Sequence, residues 1–112
     1  MLNQTVLVGR LVKDPELRET DNGRKVTNIT LAVPRSYKNL NGEYDTDFIS
    51  CVLWKGVAES TVEYCKRGDL VGVKGRIQSR NIELEDETKK QVVEVVAEKI
   101  TFLSSKHVEE TE

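Results

Sequence analysis

The chain reads as an all-β domain with a single helix, its strands closing into a small barrel. Three observations carry that prediction. Residues 70–82 alternate, with Val71, Val73, Gly75 and Ile77 on one face and Lys74, Arg76, Gln78, Arg80 and Ile82 on the other. Further strand-like runs recur at 5–12, 26–33, 48–54 and 92–103, separated by turn-forming residues. Only 56–67 has helical spacing.

Thr5 to Val12 is β-branched and nearly all apolar, which predicts a strand covered on both faces, and Gly9 inside it marks a bend or close backbone approach. Pro15 closes that strand and Asp21-Asn22-Gly23 supplies a turn. From Val26 to Val33 the pattern alternates, with Ile29, Leu31 and Val33 inward and Thr30 outward, until Pro34 ends the regular pairing. Tyr37 to Asp45 contains Asn41-Gly42 and reads as a polar, mobile hairpin loop. Phe48, Ser50, Val52 and Trp54 then share one face of a third strand, and Ile49, Cys51 and Leu53 share the other. Both faces carry large apolar groups.

The helix prediction rests on Ala58, Thr61, Val62 and Cys65 at i, i+3, i+4 and i+7, with Lys66 and Arg67 in the last turn and Gly68 as the stop. After strand 70–82 an acidic tip, Glu83 to Glu87, leads through Lys89 and Lys90 into the run Val92 to Leu103, an extended hairpin of the fourth and fifth strands. Residues 1–104 thus form one domain, and the polar, acidic residues 105–112 have no reason to fold. Five strands with a helix between the third and fourth is the order of the five-stranded OB-fold barrel, though other small β-barrels share much of it. In the OB-fold, the strand 2–3 face binds oligonucleotides and oligosaccharides.

Composition narrows the function. The net charge is −2, yet residues 1–81 hold 13 Lys/Arg against 10 Asp/Glu, a net of +3, and residues 82–112 hold 4 against 9, a net of −5. The body is mildly basic and the acidity sits at the end. Cys51 and Cys65 lack metal-ligand spacing and are expected to be buried, reduced thiols. No signal-peptide pattern opens the chain and no apolar run approaches the ~20 residues of a membrane span, so a cytoplasmic location without membrane contact is expected.

No catalytic or metal-binding constellation is legible, and no cofactor is expected: the one histidine, His107, lies in the polar end, and Asp45 and Asp47 have no partner to make a base or metal pair. Gly72 and Gly75 sit inside a strand pattern and read as barrel-closing glycines, not a phosphate loop. Aromatics say more. Four of the six, Tyr37, Tyr44, Phe48 and Trp54, fall between 37 and 54, with flanking basic residues at Arg35, Lys38 and Lys55. Rings interleaved with cations suit a groove that stacks bases and tracks phosphates.

Over residues 1 to about 104 the chain resembles the bacterial single-stranded DNA-binding protein family. The resemblance is carried in order by Met1-Leu2-Asn3, by Leu7-Val8-Gly9-Arg10-Leu11 and by Lys13-Asp14-Pro15-Glu16-Leu17-Arg18. It continues through Thr30-Leu31-Ala32-Val33, through 47–54 (Asp-Phe-Ile-Ser-Cys-Val-Leu-Trp) and through 75–81 (Gly-Arg-Ile-Gln-Ser-Arg-Asn). It implies an OB-fold homotetramer that binds single-stranded DNA with little sequence preference in replication, recombination and repair. Tyr37, Phe48 and Trp54 match the family's base-stacking positions, and Arg80, with Gln78 beside it, matches a DNA-contacting position on the fourth strand. Asn3 to Gly9, with Gln4, Val6 and Val8 in it, matches the segment that pairs with a second subunit; Lys74 and Arg76 are expected to face a neighbouring subunit.

Three departures stand out. Ile82 occupies a further stacking position but offers no π-face, and the tip Glu83, Glu85, Asp86 and Glu87 is acidic where the family is rich in Gly, Gln and Asn. Longer relatives also end in an acidic partner-recruiting tip, which is expected to be absent from a chain that stops at Glu112. Two alternatives stay open at this point: an oligomeric OB-fold protein-interaction module, and an OB-fold that prefers RNA.

Overall fold

The computed structural model describes residues 1–104; the expected unfolded stretch 105–112, with His107, lies outside the described residues. Seven elements follow one another: β1 (Thr5–Leu11), β2 (Arg18–Glu19), β3 (Lys25–Lys38), β4 (Tyr44–Trp54), α1 (Lys55–Tyr64), β5 (Leu70–Glu83) and β6 (Lys89–Ser104). The sheet runs β1-β5-β6-β4-β3-β2, and β1 also pairs with β3 through Arg10↔Ala32 and Leu11↔Leu31. That second pairing closes a five-stranded barrel, and β2 hangs on it as a short extra strand. The architecture is the OB-fold expected from the element order.

Alternation explains the core. Leu31, Leu53, Val71 and Val73 are fully buried, with Leu11, Ile29, Cys51, Cys65 and Ala97 around them, and Ala58 and Thr61 bring α1 across the barrel end. Cys51 and Cys65 are free thiols, and burial pushes both up to about 11. At neutral pH they stay protonated, as small apolar groups.

Besides β1, expected to be covered on both faces but exposing Val6 and Val8 on one of them, four features depart from the sequence expectation. The helix ends at Tyr64, three residues short of Arg67, because Cys65 is already extended (φ −114°, ψ 147°). Lys66 and Arg67 therefore lie in a turn whose backbone is held from outside. The Asp69 carboxylate accepts from the Lys66 N–H at 2.9 Å, and Asp14 accepts from the Arg67 N–H at 2.7 Å. Gly68 (φ +91°) shapes this turn and donates its N–H to the Leu11 carbonyl at 2.8 Å, so it does not cap the helix. Second, the loop over 37–45 is shorter than expected. β3 runs through Pro34 to Lys38 and β4 begins at Tyr44, with a register irregularity between Pro34 and Lys38 and a final pair Lys38↔Tyr44. Pro34 does end the regular ladder, having no N–H to give it.

Third, the two-residue β2 was not legible as a strand. It pairs Arg18↔Val26 and Glu19↔Lys25 and turns through Thr20–Arg24, where Gly23 (φ +79°) donates to the Thr20 carbonyl. Fourth, Ile77 was expected to face the core but is 49 % exposed. β1 flanks β5 only from Arg10↔Leu70 to Thr5↔Gly75. Opposite Arg76 and Ile77, β6 is still held by β4 through Val96 and Val95, but β5 there has lost its β1 neighbour and is a sheet edge, so Ile77 is left uncovered on that side. Further out, β5 and β6 run on as a two-stranded arm ending at Glu83↔Lys89.

Candidate nucleic-acid interface

The β3–β4 register decides which side chains leave the barrel. Thr27↔Leu53, Ile29↔Cys51 and Leu31↔Ile49 point inward; Val26↔Trp54, Asn28↔Val52, Thr30↔Ser50 and Ala32↔Phe48 form the outer row. Trp54 and Phe48 therefore share the outer face, six residues or about 20 Å apart along β4. Their settings differ. Trp54 is half-buried against Val26, Val52 and Val96. Phe48 is 67 % exposed, because its opposite neighbour is only Ala32. Tyr37 and Tyr44 are exposed near the hairpin end, where the Lys38 ammonium lies 5.9 Å from the Tyr44 ring centre.

The parallel pair Val52↔Val96 carries the outer face onto β6 and then β5, through Arg76↔Val96, Gln78↔Glu94, Arg80↔Val92 and Ile82↔Lys90. Between these strands and β3–β4 lies a groove of about 290 Å³. It brings Trp54, Gln78 and Arg80 together, and adds Arg18, Thr20, Asn28 and Glu94, which sequence reasoning missed. Glu94 was legible in principle. It alternates with buried Val95, and its carboxylate accepts from Arg80 Nε at 2.9 Å. Arg18 and Arg24 flank the Asp21-Asn22-Gly23 turn, a basic signal at a turn already recognised. The groove does not include Arg35, Tyr37, Lys38 or Phe48, which lie further along β3 and β4.

Lys55 follows Trp54 directly and is exposed with φ +52°, in the left-handed region. Ile82 is half-buried two residues beyond Arg80, on the same face. The acidic tip closes tightly: the Leu84 N–H donates to the Thr88 carbonyl at 2.8 Å, and Asp86 accepts from the Thr88 N–H and hydroxyl. These two bonds hold the Asp86 carboxyl below its ordinary range.

Arg35 is already engaged, and it is the basic partner that Asp45 and Asp47 were expected to lack. Its guanidinium meets Asp47 bidentately, Nη2 at 2.9 Å and Nε at 3.1 Å, with Asp45 at 3.8 Å. That hydrogen bonding holds Asp47 below the usual carboxylate range and Arg35 above its own. A phosphate reaching Arg35 must displace Asp47. Asp47→Asn is therefore expected to tighten binding of a polyanion and to steepen its log–log salt dependence by about 0.7, one more phosphate neutralised. Anisotropy titrations at several salt concentrations would read both. As pH falls through the depressed Asp47 value the pair dissolves, so wild-type binding should approach that of Asp47→Asn in acid, while the ion pair's contribution to stability is lost there.

On the opposite side of the barrel, Val6 (68 % exposed) and Val8 (49 %) pair with Lys74 and Gly72, which places the valines and Lys74 on one outer patch. Gln4 is exposed beside them. Arg76 lies 3.7 Å from Glu98. Asn3 is used within its own barrel: its side-chain amide donates to the Ile77 carbonyl at 2.7 Å and its oxygen accepts from the Ile77 N–H at 2.9 Å.

A closed OB barrel with Trp54 and Phe48 on the outward side of its β3–β4 face, and Arg18 and Arg80 lining the groove beside Trp54, is the architecture of an oligonucleotide-binding module. The chain belongs to the single-strand binding protein family, whose sequence profile matches residues 2–103. It is 50 % identical over 106 residues to single-stranded DNA-binding protein B of Bacillus subtilis, covering 95 % of this chain and 94 % of that one. It is 52 % identical to single-stranded DNA-binding protein 3 of Listeria innocua, over 95 % of this chain and 66 % of the relative. With single-stranded DNA-binding protein A of Bacillus subtilis the identity is 50 %, over 96 % of this chain and 62 % of the relative. Among the described residues no helix is long and apolar enough to cross a membrane.

Proposed function

We propose that this protein binds and protects single-stranded DNA with little base preference, in replication, recombination or repair. Residues 1–104 are its binding domain. The observation that carries the reading is Phe48: a large ring two-thirds exposed on the outer strand face, in line with Trp54, whose groove is lined by Arg18 and Arg80. Bases stack on Tyr37, Phe48 and Trp54; Arg35, Lys38, Lys55 and Arg80 meet phosphates, with Gln78 and Ile82 alongside. This is binding without a chemical step. The acidic arm tip stands off from the phosphates, and the strand passes nearer the barrel.

The active form is a homotetramer. The Val6–Val8–Lys74 patch, with Gln4 and Arg76 at its margin, supports subunit contact, since exposed β-branched pairs on a flat strand face gain from burial. Asn3 steadies that face by pinning the N-terminal segment to Ile77.

Trp54 is the sole tryptophan, so its fluorescence reports on the groove directly. Titration with oligo-dT at low salt is expected to quench it, with a log–log salt slope of about −0.7 per phosphate contacted. An unchanged signal with no change in anisotropy would overturn the reading. Preference for oligo-U over oligo-dT would move the assignment to RNA.

A further inference from the structure

Arg24 lies over Trp54, its guanidinium carbon 4.4 Å from the ring centre. The backbone explains how it gets there. The β2–β3 pairing puts Arg18 beside Val26, and Val26 is the cross-strand neighbour of Trp54. Arg24 precedes Val26 by two positions, so it projects from the same side, and the tight Thr20–Arg24 turn holds it at the groove's edge. The indole meanwhile packs against Val26, Val52 and Val96.

Arg24 has no acidic partner among the described residues and lies on a ring instead. Arg35, Arg76 and Arg80 are each within 4.0 Å of a carboxylate, whereas Arg18 and Arg24 have no ion pair among the described residues. The Trp54 indole is the partner of the Arg24 guanidinium. A guanidinium is planar and stacks on rings and on bases alike.

We propose that Arg24 is a base-clamping residue: in the free protein it holds the place of a base on Trp54, and on binding it lifts to admit one nucleobase between the indole and its own guanidinium plane. The clamp rests on the single-stranded DNA reading above and deepens it. It gives the Trp54 subsite two stacking surfaces where Phe48 has one. Arg18, paired beside Val26 on the same hairpin, remains available to the adjoining phosphate.

The test compares wild type, Arg24→Ala and Arg24→Lys by anisotropy against oligo-dT and against an abasic deoxyribose-phosphate oligomer of equal length. Arg24→Ala is expected to bind oligo-dT about threefold to tenfold more weakly, with a nearly unchanged salt slope. Arg24→Lys keeps the charge but not the plane and is expected to fail to rescue, while the abasic oligomer binds all three proteins equally. Free-state Trp54 emission should shift in both variants, and unchanged melting temperatures exclude a folding defect. Four results overturn the clamp: tighter binding by Arg24→Ala, which makes Arg24 a mere cover; rescue by lysine with a slope shallower by about 0.7 in Arg24→Ala, which makes it a phosphate contact; equal oligo-dT binding by all three; or an equal loss against the abasic oligomer. In each of these wild type still binds oligo-dT and the functional reading survives. Failure of wild type to bind would remove both.

Discussion

Gly75→Ala is expected to destabilise the barrel by about 3 kcal/mol or more, a cost at the upper end of what overpacking produces. A Cβ at this position would sit 2.1 Å from the Val96 carbonyl oxygen, 3.0 Å from its carbon and 3.1 Å from the Ala97 Cα. All three are backbone atoms, so no side chain can rotate away. The crowding arises where the ladder slips: Lys74 pairs with Lys99 but Gly75 pairs with Ala97, leaving Glu98 as an extra residue on β6. At the same residue β1 stops accompanying β5. Relief would require shifting the bulge that turns the barrel wall into the arm. Gly72→Ala is the matched control. Its nearest atom is a Leu103 methyl at 3.7 Å, an ordinary contact, and it should cost no more than about 0.5 kcal/mol. Thermal melts at one protein concentration separate the two, with Gly75→Ala lower by more than about 10 °C. Equal melting temperatures would mean that the strand corner is not built this way.

The second large effect is on binding. Phe48→Ala is expected to weaken oligo-dT affinity by about 1–3 kcal/mol, roughly fivefold to 150-fold, with no loss of thermal stability. Phe48 separates the two readouts better than Trp54, because Trp54 also packs against Val26, Val52 and Val96 and its truncation would disturb both. Phe48 faces Ala32 across the strands and is 67 % exposed, so removing its ring opens no cavity. Phe48→Tyr should retain most of the affinity. A drop in melting temperature matching the drop in binding would mean that the ring is packed in solution, against a second subunit for example, and is not presented to a base.

These side chains also show why the free interface is quiet. Arg35 rests on Asp47, Arg80 on Glu94, Lys38 on the Tyr44 ring and Arg24 on Trp54. Each of these four cations already has a partner, so the DNA contacts proposed for them would exchange one interaction for another. The net gain per contact is correspondingly modest, and the salt slope should fall short of the number of basic residues in the groove.

The alternation of apolar residues was enough to place Val71, Val73, Ile29 and Leu31 in the core, since a strand's side chains must alternate whatever lies beside it. Element order led to the barrel class, and the clustering of rings singled out Phe48 and Trp54, which the register puts on one outer face. Everything that depended on a neighbour was hidden. Ile77 continues the inward row of β5 but is exposed, because the strand that would cover it ends at Gly75. The helix stops at Tyr64 although the charge pattern runs to Arg67, because Asp69, Asp14 and Leu11 take up the following backbone groups. Arg24 and Glu94 meet Trp54 and Arg80 only once β3 lies beside β4 and β5 beside β6. Periodicity is a property of one segment and can be read along it; which cation sits on which ring is a property of register between segments, and register exists only in the folded barrel.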